Sequence, residues 1–246
     1  MELWNNLIKQ IRKRERALFF TLIDPDNMDH SKLKTTVQRV KSLRGDAILV
    51  GGSTLFKDNL PQLIDWLKDT ADLPVIIFPG NSKFIVPQAD LVLFLSLLSG
   101  RNPRWLIEEQ LEMAVKINQY NLPSIPVAYL LVESGSTTTV EFISNTRPIP
   151  RSKPEVLAAH VLAANSMGMV NVYLEGGSGA KLTVPEQMIE VAALHAQGKV
   201  IVGGGITSPG EVESKVKAGA DIIVVGTAVE RNIEVLPELI SAAGIK

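Results

Sequence analysis

The sequence contains no cysteine, and this absence excludes a disulfide framework, thiolate metal sites and a cysteine nucleophile. Histidine is scarce as well, with only His30, His160 and His195. These three are not spaced to share a metal ion, and no Ser–His–Asp arrangement can be assembled from them. A chain without cysteine fits a reducing compartment, so we expect a cytoplasmic location.

Positive charge is not in excess, because 25 lysines and arginines face 26 aspartates and glutamates, for a net charge of −1. Nucleic acid is therefore not expected as a partner. Long apolar runs are also lacking, since the longest, Leu91–Leu98, is far below the roughly 20 residues of a membrane-spanning helix. The amphipathic, charged N-terminus is unlike a signal peptide. We expect a soluble protein, for which transient contact with a membrane surface stays open.

The sequence does contain a regular alternation of short apolar runs with amphipathic segments. The runs predicted as strands are 17–24, 46–52, 74–80, 90–96, 126–133, 170–177, 199–205 and 221–227. Continuous apolar runs are typical of parallel strands covered on both faces. Eight such units in 246 residues predict one domain, residues 1–246, that forms a (β/α)8 barrel with a short N-terminal helix. A doubly wound sheet is the alternative, but no Rossmann glycine fingerprint follows the first strand.

One unit of this alternation is irregular. Only the stretch GNSKFIVPQAD, residues 80–90, separates the third predicted strand from the fourth. It contains a proline and no helical pattern of three turns, so the third outer helix is predicted to be missing or vestigial. The gap would either expose an apolar groove or be plugged by the irregular segment, and the pattern leaves both open.

Glycines end the last two predicted strands, at Gly203–Gly205 and at Gly226, which Thr227 follows. In a (β/α)8 barrel the loops after strands seven and eight, with a helix N-terminus, commonly bind phosphate. Glycine lets main-chain N–H groups approach an oxyanion, and the helix dipole adds to the attraction. Two such loops together predict a phosphate cradle, whereas one alone would indicate only a tight turn.

A third glycine-rich loop, Tyr173–Lys181, follows the sixth predicted strand. Its Glu175 is poorly suited to bind phosphate but well suited to accept hydrogen bonds from the hydroxyls of a small polyol. Tyr173 can donate to a phosphate or to a hydroxyl. The pattern predicts a phosphorylated polyol as ligand, unless Glu175 is only a surface carboxylate.

Acidic side chains follow the first predicted strand, where Asp24 ends the strand and Asp26 comes after a proline. The carboxyl ends of the strands form the functional face of such a barrel. A carboxylate there suits Mg²⁺, which takes a few oxygen ligands in addition to substrate phosphate. Ser53 offers a hydroxyl from the turn after the second strand. The alternative is a turn that merely caps the next helix.

Eight short motifs occur in order along the chain: TLIDPD, VGGST, FPGN, SLLSGRNPRW, AYLLVESGSTTTVEF, YLEGGSGA, VGGGI and VVGTAVE. In this order they resemble the geranylgeranylglyceryl phosphate synthase family, whose superfamily includes the bacterial heptaprenylglyceryl phosphate synthases. The resemblance extends from about Ala17 to Glu230. YLEGGSG together with VGGGI and VGT is the specific part, because VGGGI alone occurs in many phosphate-binding barrels.

The resemblance implies an enzyme that transfers a polyprenyl group, with geranylgeranyl expected, from its diphosphate to the 3-hydroxyl of sn-glycerol 1-phosphate in ether lipid biosynthesis. It implies that Asp24 and Ser53 hold Mg²⁺, that Asp24 and Glu175 are catalytic, and that the prenyl tail lies where the third helix is missing. Glu175 would be a base or only an orienting acceptor. The residues then expected to bind glycerol phosphate are Tyr173, Leu174, Glu175, Gly176, Gly177, Ser178, Gly179, Gly204, Gly205, Gly226 and Thr227.

The chain departs from the family pattern at the first strand. Some members carry KLDP there, but this chain has Leu22 in place of the lysine, and Asn27 where related LIDPD sequences continue with lysine. The long strand-five loop resembles the second of the family's two groups, which implies a homo-oligomer, either a dimer or a hexamer.

Two other functions stay open from the residues alone. A sugar-phosphate isomerase, epimerase or lyase would share the phosphate cradle, but it would need a lysine or an acid–base pair in the barrel mouth. A non-catalytic polyprenyl-phosphate carrier would need only the fold and a groove. The DDxxD motif of chain-elongating prenyl synthases is not present.

Overall fold

The computed structural model describes residues 2–14, 16–27 and 30–244, and its eight parallel strands close into a barrel in chain order. The strands are β1 Leu18–Ile23, β2 Ala47–Gly51, β3 Val75–Phe78, β4 Leu91–Ser96, β5 Ser124–Leu131, β6 Asn171–Glu175, β7 Val200–Gly203 and β8 Ile222–Val225. Pairing of β8 with β1, from Leu18 opposite Ile222 to Thr21 opposite Val225, completes the ring. The predicted (β/α)8 barrel is confirmed.

Helices surround the barrel in alternation with the strands. They are α1 Glu2–Arg14, α2 His30–Ser42, α3 Leu60–Ala71, α4 Glu109–Gln119, α5 Thr139–Ser144, α6 Pro154–Ser166, α7 Glu186–His195, α8 Pro209–Lys217, α9 Thr227–Arg231 and α10 Leu236–Ala243. A π-helical turn, Arg104–Glu108, leads into α4. No helix within the described ranges is long and apolar enough to cross a membrane.

The alternation of side chains along each strand builds two separate apolar layers. In β1, Leu18 and Phe20 point into the barrel interior, whereas Phe19 packs between the sheet and the helices. Trp4 and Leu7 of α1 join the interior cluster. Because α1 ends shortly before β1 begins, it covers the amino end of the barrel. The carboxyl end is left to the loops that carry the predicted site.

The outer helix that would follow β3, the third of the barrel, is missing, as the sequence predicted. Between β3 and β4 the structure has only the 3-10 turn Ser82–Phe84. Phe84 and Ile85 are buried and pack with Met113 of α4 in the layer between sheet and helices. The irregular segment therefore plugs the outer layer of the gap, while an apolar groove stays open nearer the carboxyl end.

The short helix α5 was not predicted from the sequence. It lies in the long strand-five loop and begins at the last of three consecutive threonines, Thr137–Thr139, which have modest helix propensity. Its starting residue makes no side-chain capping bond. Packing against the barrel mouth, rather than a local sequence signal, therefore accounts for this helix.

Candidate active site

The sixth strand delivers its side chains alternately to the two apolar layers. Tyr173 belongs to the barrel interior, and Leu174 to the layer between sheet and helices. Leu174 is fully buried there, so its side chain points away from the mouth and only its main chain can serve a ligand. Glu175 ends the strand, is 6% exposed, and lies on the same side of the sheet as Tyr173.

Three aromatic rings form the floor beneath Glu175. The ring centroids of Phe78 and Tyr129 lie 5.8 Å apart, those of Phe78 and Tyr173 5.2 Å, and those of Tyr129 and Tyr173 5.4 Å. Burial, followed by the Glu175 carboxylate, raises the pKa of both tyrosines well above the usual range. Both hydroxyls therefore stay protonated and face the carboxylate. The Tyr173 hydroxyl is buried and makes no hydrogen bond of good geometry with the described residues, so it retains a donor for a ligand.

Burial also raises the pKa of Glu175 to about 7, although the Gly177 N–H and the hydroxyls of Tyr173 and Tyr129 favour the ionised form. The main-chain N–H of Gly177 donates to Glu175 Oε1 at 2.5 Å. A carboxylate with a pKa close to neutrality can both accept and release a proton under physiological conditions. Its position between apolar rings and a glycine loop thus keeps the pKa of Glu175 close to neutrality.

Glycine at position 204 is required by the carboxylate beside it. Gly204 has a φ of 87°, which disfavours any other residue. A Cβ there would collide with Glu175 Oε1 and would lie 2.5 Å from the nitrogen of Gly177. The turn after β7 can approach Glu175 this closely only because it has no side chain.

The loops after β6, β7 and β8 are held together by hydrogen bonds. The Gly176 N–H donates to the Gly203 carbonyl at 3.0 Å. The hydroxyls of Ser178 and Thr227 lie 2.9 Å apart, which joins the β6 loop to the start of α9. The three predicted glycine loops thus come together in one place, and Gly205 and Gly179 also lie there with positive φ angles.

Asp24 lies half-buried at the barrel mouth, directly after β1. Both of its carboxylate oxygens accept hydrogen bonds from residues of the same turn. Oδ1 accepts from the Asp26 N–H at 2.9 Å, and Oδ2 from the Asn27 side-chain amide at 2.9 Å. Burial raises the pKa of Asp24, with the Asp26 carboxylate contributing in the same direction. A Cβ on Gly52 would lie 3.1 Å from Asp24 Oδ2, so the turn that carries Ser53 runs directly beside the carboxylate.

Two charged residues near Asp24 were missed by the sequence reasoning. Burial, followed by the Asp24 carboxylate, raises the pKa of Glu230, which lies beside Asp24 although it follows β8. Lys57, from the loop after β2, donates through Nζ to the Pro25 carbonyl at 3.2 Å and lowers the pKa of Asp24. This lysine adds positive charge to the first-strand turn, which lacks the lysine that some family members carry there.

An apolar groove opens beside this mouth, at the place where the helix after β3 is missing. It is partly open to solvent and extends from the Gly52–Ser53 turn past Phe78 and Tyr129. Trp105, Met113 and the α5 residues Val140, Ile143 and Ser144 line its other walls. Trp105 lines the groove, whereas Phe84 and Phe94 pack in the layer between sheet and helices.

Tyr129 lines the groove and packs against Tyr173, whose hydroxyl lies beside the Gly203 turn, so the groove adjoins the glycine loops. Ser53 lines the groove at the end of β2, and Asp24 lies beside the same turn. Among the described residues no group of three histidine, aspartate or glutamate side chains could hold a metal ion by itself. A divalent ion here would depend on substrate phosphates and water for its remaining ligands.

Comparison with known proteins agrees with this geometry. Residues 9–243 match the PcrB family. The chain is 38% identical to a geranylgeranylglyceryl phosphate synthase of Korarchaeum cryptofilum, with 94% of this chain and 95% of that one covered. It is 43% identical to the Pyrococcus furiosus protein of the same name, over 88% of this chain and 86% of that one.

A solved structure of a related enzyme has the same fold. The crystal structure of (S)-3-O-geranylgeranylglyceryl phosphate synthase from Thermoplasma acidophilum, in complex with the substrate sn-glycerol-1-phosphate, superposes with a TM-score of 0.89 at 32% identity. The match covers 97% of this chain and 98% of that one. The chain therefore belongs to the PcrB family, alongside the geranylgeranylglyceryl phosphate synthases.

Proposed function

We propose that this protein is a Mg²⁺-dependent prenyltransferase that joins a polyprenyl diphosphate, with geranylgeranyl expected, to the 3-hydroxyl of sn-glycerol 1-phosphate and releases diphosphate. The observation that carries this proposal is the position of Glu175. A buried carboxylate with a pKa of about 7 lies between three glycine loops and an apolar groove. The names of the relatives and the substrate bound to the Thermoplasma acidophilum enzyme support the same reaction.

Glycerol phosphate would bind where the three loops meet. Main-chain N–H groups at the Gly204–Gly205 and Gly226–Thr227 turns would receive the phosphate. Ser178 and Tyr173 would donate to it from the side of β6. The glycerol hydroxyls would then lie at Glu175, on the groove side of the phosphate.

Asp24 and Ser53 would hold the Mg²⁺. Both supply oxygen, which is the ligand type that Mg²⁺ prefers, and the half-buried Asp24 carboxylate lies beside two further acids, Asp26 and Glu230, which add negative charge to this turn. When bound, the ion neutralises the diphosphate and makes it a better leaving group. The residues present at this turn therefore fit the metal that the family implies.

The chemical step needs two events that this chain's residues can support. The bond between C1 of the prenyl chain and the diphosphate oxygen breaks, and its electron pair leaves with the diphosphate. The 3-hydroxyl oxygen forms the new bond to C1, and its proton passes to the Glu175 carboxylate. The aromatic floor and the apolar groove exclude water, which would otherwise compete for the allylic centre. Much of the rate would come from holding the two phosphorylated substrates in register.

The direct test is an extraction assay on the purified protein. The protein is incubated with Mg²⁺, radiolabelled glycerol 1-phosphate and prenyl diphosphates from about C15 to C35. We expect label in the organic phase with one preferred chain length, and none with glycerol 3-phosphate as control. Extraction of no label with any chain would reject the transferase and favour sugar-phosphate chemistry in the same cradle. Stoichiometric prenyl diphosphate binding without turnover would favour the carrier.

Gly204→Ala should weaken glycerol phosphate binding by about tenfold or more. The new methyl group would displace the Glu175 carboxylate and force an alanine into a left-handed conformation, which typically costs about 1–3 kcal/mol. Calorimetric titration with glycerol 1-phosphate measures the effect. Gly210→Ala is the matched control, because a Cβ there meets no atom within 4 Å and should bind like the wild type.

A homo-oligomer, either a dimer or a hexamer, is also part of the proposal. Ile107 of the π-helical turn and Leu111 and Val115 of α4 form an exposed apolar stripe along one face, and Phe142 of α5 is 79% exposed. Exposed apolar faces of this kind favour self-association. Light scattering at micromolar concentration would test this, and a monomer would reject it. The product is amphipathic, so we expect transient contact with membranes.

A further inference from the structure

Three consecutive threonines, Thr137–Thr139, lead into α5, which begins at the last of them, and the middle one differs from the other two in burial. Thr137 and Thr139 are exposed, whereas Thr138 is only 6% exposed. The Thr138 hydroxyl oxygen is buried and has no hydrogen-bond partner among the described residues. A buried hydroxyl without a partner destabilises the free protein, and a valine of almost the same shape would avoid that loss.

Thr138 lies directly against the loop that is proposed to bind glycerol phosphate. A Cβ on Gly177 would be 2.5 Å from Thr138 Cγ2 and 2.6 Å from Thr138 Cβ and Oγ1. Gly177 has a φ of 95°, so the close contact and the backbone conformation both require glycine there. The side chain of Thr138 is therefore packed on the backbone of the β6 loop.

The main-chain N–H and carbonyl of Gly177 each make one hydrogen bond within the β6 loop. Its N–H donates to Glu175 Oε1 at 2.5 Å, and its carbonyl accepts from the Ala180 N–H at 3.2 Å. The Gly177 N–H is therefore not available to the neighbouring Thr138 hydroxyl. A ligand hydroxyl that donates to Glu175 Oε1 would compete with the Gly177 N–H for that oxygen and make this N–H available to the Thr138 hydroxyl.

Thr138 also directly precedes α5, the helix that forms one wall of the groove. Its carbonyl accepts from the Phe142 N–H at 3.0 Å, which closes the first turn of α5. Val140, Ile143 and Ser144 of that helix line the groove. The contact between Thr138 and Gly177 is thus directly connected, through the first turn of α5, to the wall that would hold the prenyl chain.

We propose that Thr138 is a positioning residue that couples the two substrate sites. When glycerol phosphate occupies the β6 loop, the Thr138 hydroxyl gains a hydrogen bond from the Gly177–Gly179 main chain and holds α5 against the groove. Glycerol phosphate therefore strengthens prenyl diphosphate binding, and the reverse effect is equal in size, because coupling between two binding sites is reciprocal. One hydrogen bond corresponds to a coupling of about five- to tenfold. This inference rests on the proposed function.

The test measures coupling and stability in three variants. Glycerol 1-phosphate is titrated by calorimetry with and without a saturating prenyl thiodiphosphate, a donor analogue that does not react. For Thr138→Val we expect loss of the coupling of about five- to tenfold, with a melting temperature at or above that of the wild type. Thr138→Ser, which keeps the hydroxyl, should keep the coupling. Thr139→Val is the matched control and should behave like the wild type.

The possible results separate this inference from the proposed function. Unchanged coupling in Thr138→Val, or lost coupling with a clearly lower melting temperature, would overturn the inference, because the hydroxyl would then be dispensable or merely structural. Wild-type protein that turns over in the extraction assay but shows no coupling would also overturn it and leave the transferase intact. Wild-type protein that shows no turnover in the extraction assay would reject the function itself.

Discussion

Asp24→Asn should lower turnover by about a thousandfold while leaving glycerol 1-phosphate binding within about twofold. Removing one group that stabilises charge in a transition state typically costs about 10²- to 10³-fold, and here the lost carboxylate is also the proposed anchor of the metal. Glycerol phosphate binding should survive, because its proposed ligands lie on β6, β7 and β8. Turnover in the extraction assay and calorimetric titration measure the two quantities separately.

The fold of the Asp24→Asn variant should be intact, so the loss would be a chemical one. The side-chain oxygen that remains after the substitution can accept from the Asp26 N–H, and the Asn27 amide can rotate to accept from the new NH₂ group. The substitution also removes a charge whose burial is unfavourable, so the melting temperature should not fall. Binding of Mn²⁺, followed by electron paramagnetic resonance, gives a readout independent of turnover.

Asp65→Asn provides the control for loss of a negative charge elsewhere. Asp65 is an exposed residue of α3, and its substitution should be neutral in both assays. Full turnover in Asp24→Asn, or unchanged Mn²⁺ binding, would remove Asp24 from the metal site.

Glu175→Gln should reduce kcat/KM by about a hundredfold at about pH 8 and abolish its dependence on pH near neutrality. The base form of Glu175 predominates only above its pKa of about 7. In the wild type, kcat/KM should therefore rise about tenfold per pH unit below that pKa and level off above it. Glutamine cannot accept the proton of the 3-hydroxyl. The variant should therefore lose both the rate enhancement from Glu175 and the rise of kcat/KM with pH below neutrality.

The same pKa has a consequence for stability. The folded protein holds the Glu175 proton up to about pH 7, whereas the unfolded chain releases it near the ordinary value of 4.5. Between these values the folded state binds more protons, so the free energy of unfolding falls as pH rises. Glu175→Gln should lack this fall, and denaturant titrations at about pH 5 and about pH 8 would detect the difference.

Glu133→Gln is the matched control for these experiments. Glu133 also follows a strand of the barrel, but it is exposed and its carboxylate lies near the Arg151 main chain. The variant should keep the wild-type pH profile. A profile that stays unchanged in Glu175→Gln would show that another group takes the proton.

The sequence by itself determined the architecture and most of the candidate site. Continuous apolar runs predict covered parallel strands because their pattern is local. Glycines and acids directly after those runs lie at the carboxyl end of any such barrel. Asp24, Glu175 and the turns at Gly204 and Gly226 were found in this way. The absence of the helix after β3 was also predicted from the sequence, because the segment 80–90 is too short and irregular to form one.

Only the tertiary structure decided which of these residues interact and what properties they acquire. Closure of the barrel brings Tyr129 and Phe78 under Glu175, and places Glu230 and Lys57 beside Asp24, across separations in sequence that no local pattern encodes. The raised pKa of Glu175 depends on burial, which arises from packing. Among three identical threonines only Thr138 is buried, because only its side chain faces Gly177. Local periodicity shows where a side chain falls along an element, whereas its distance from other elements depends on how the whole chain packs.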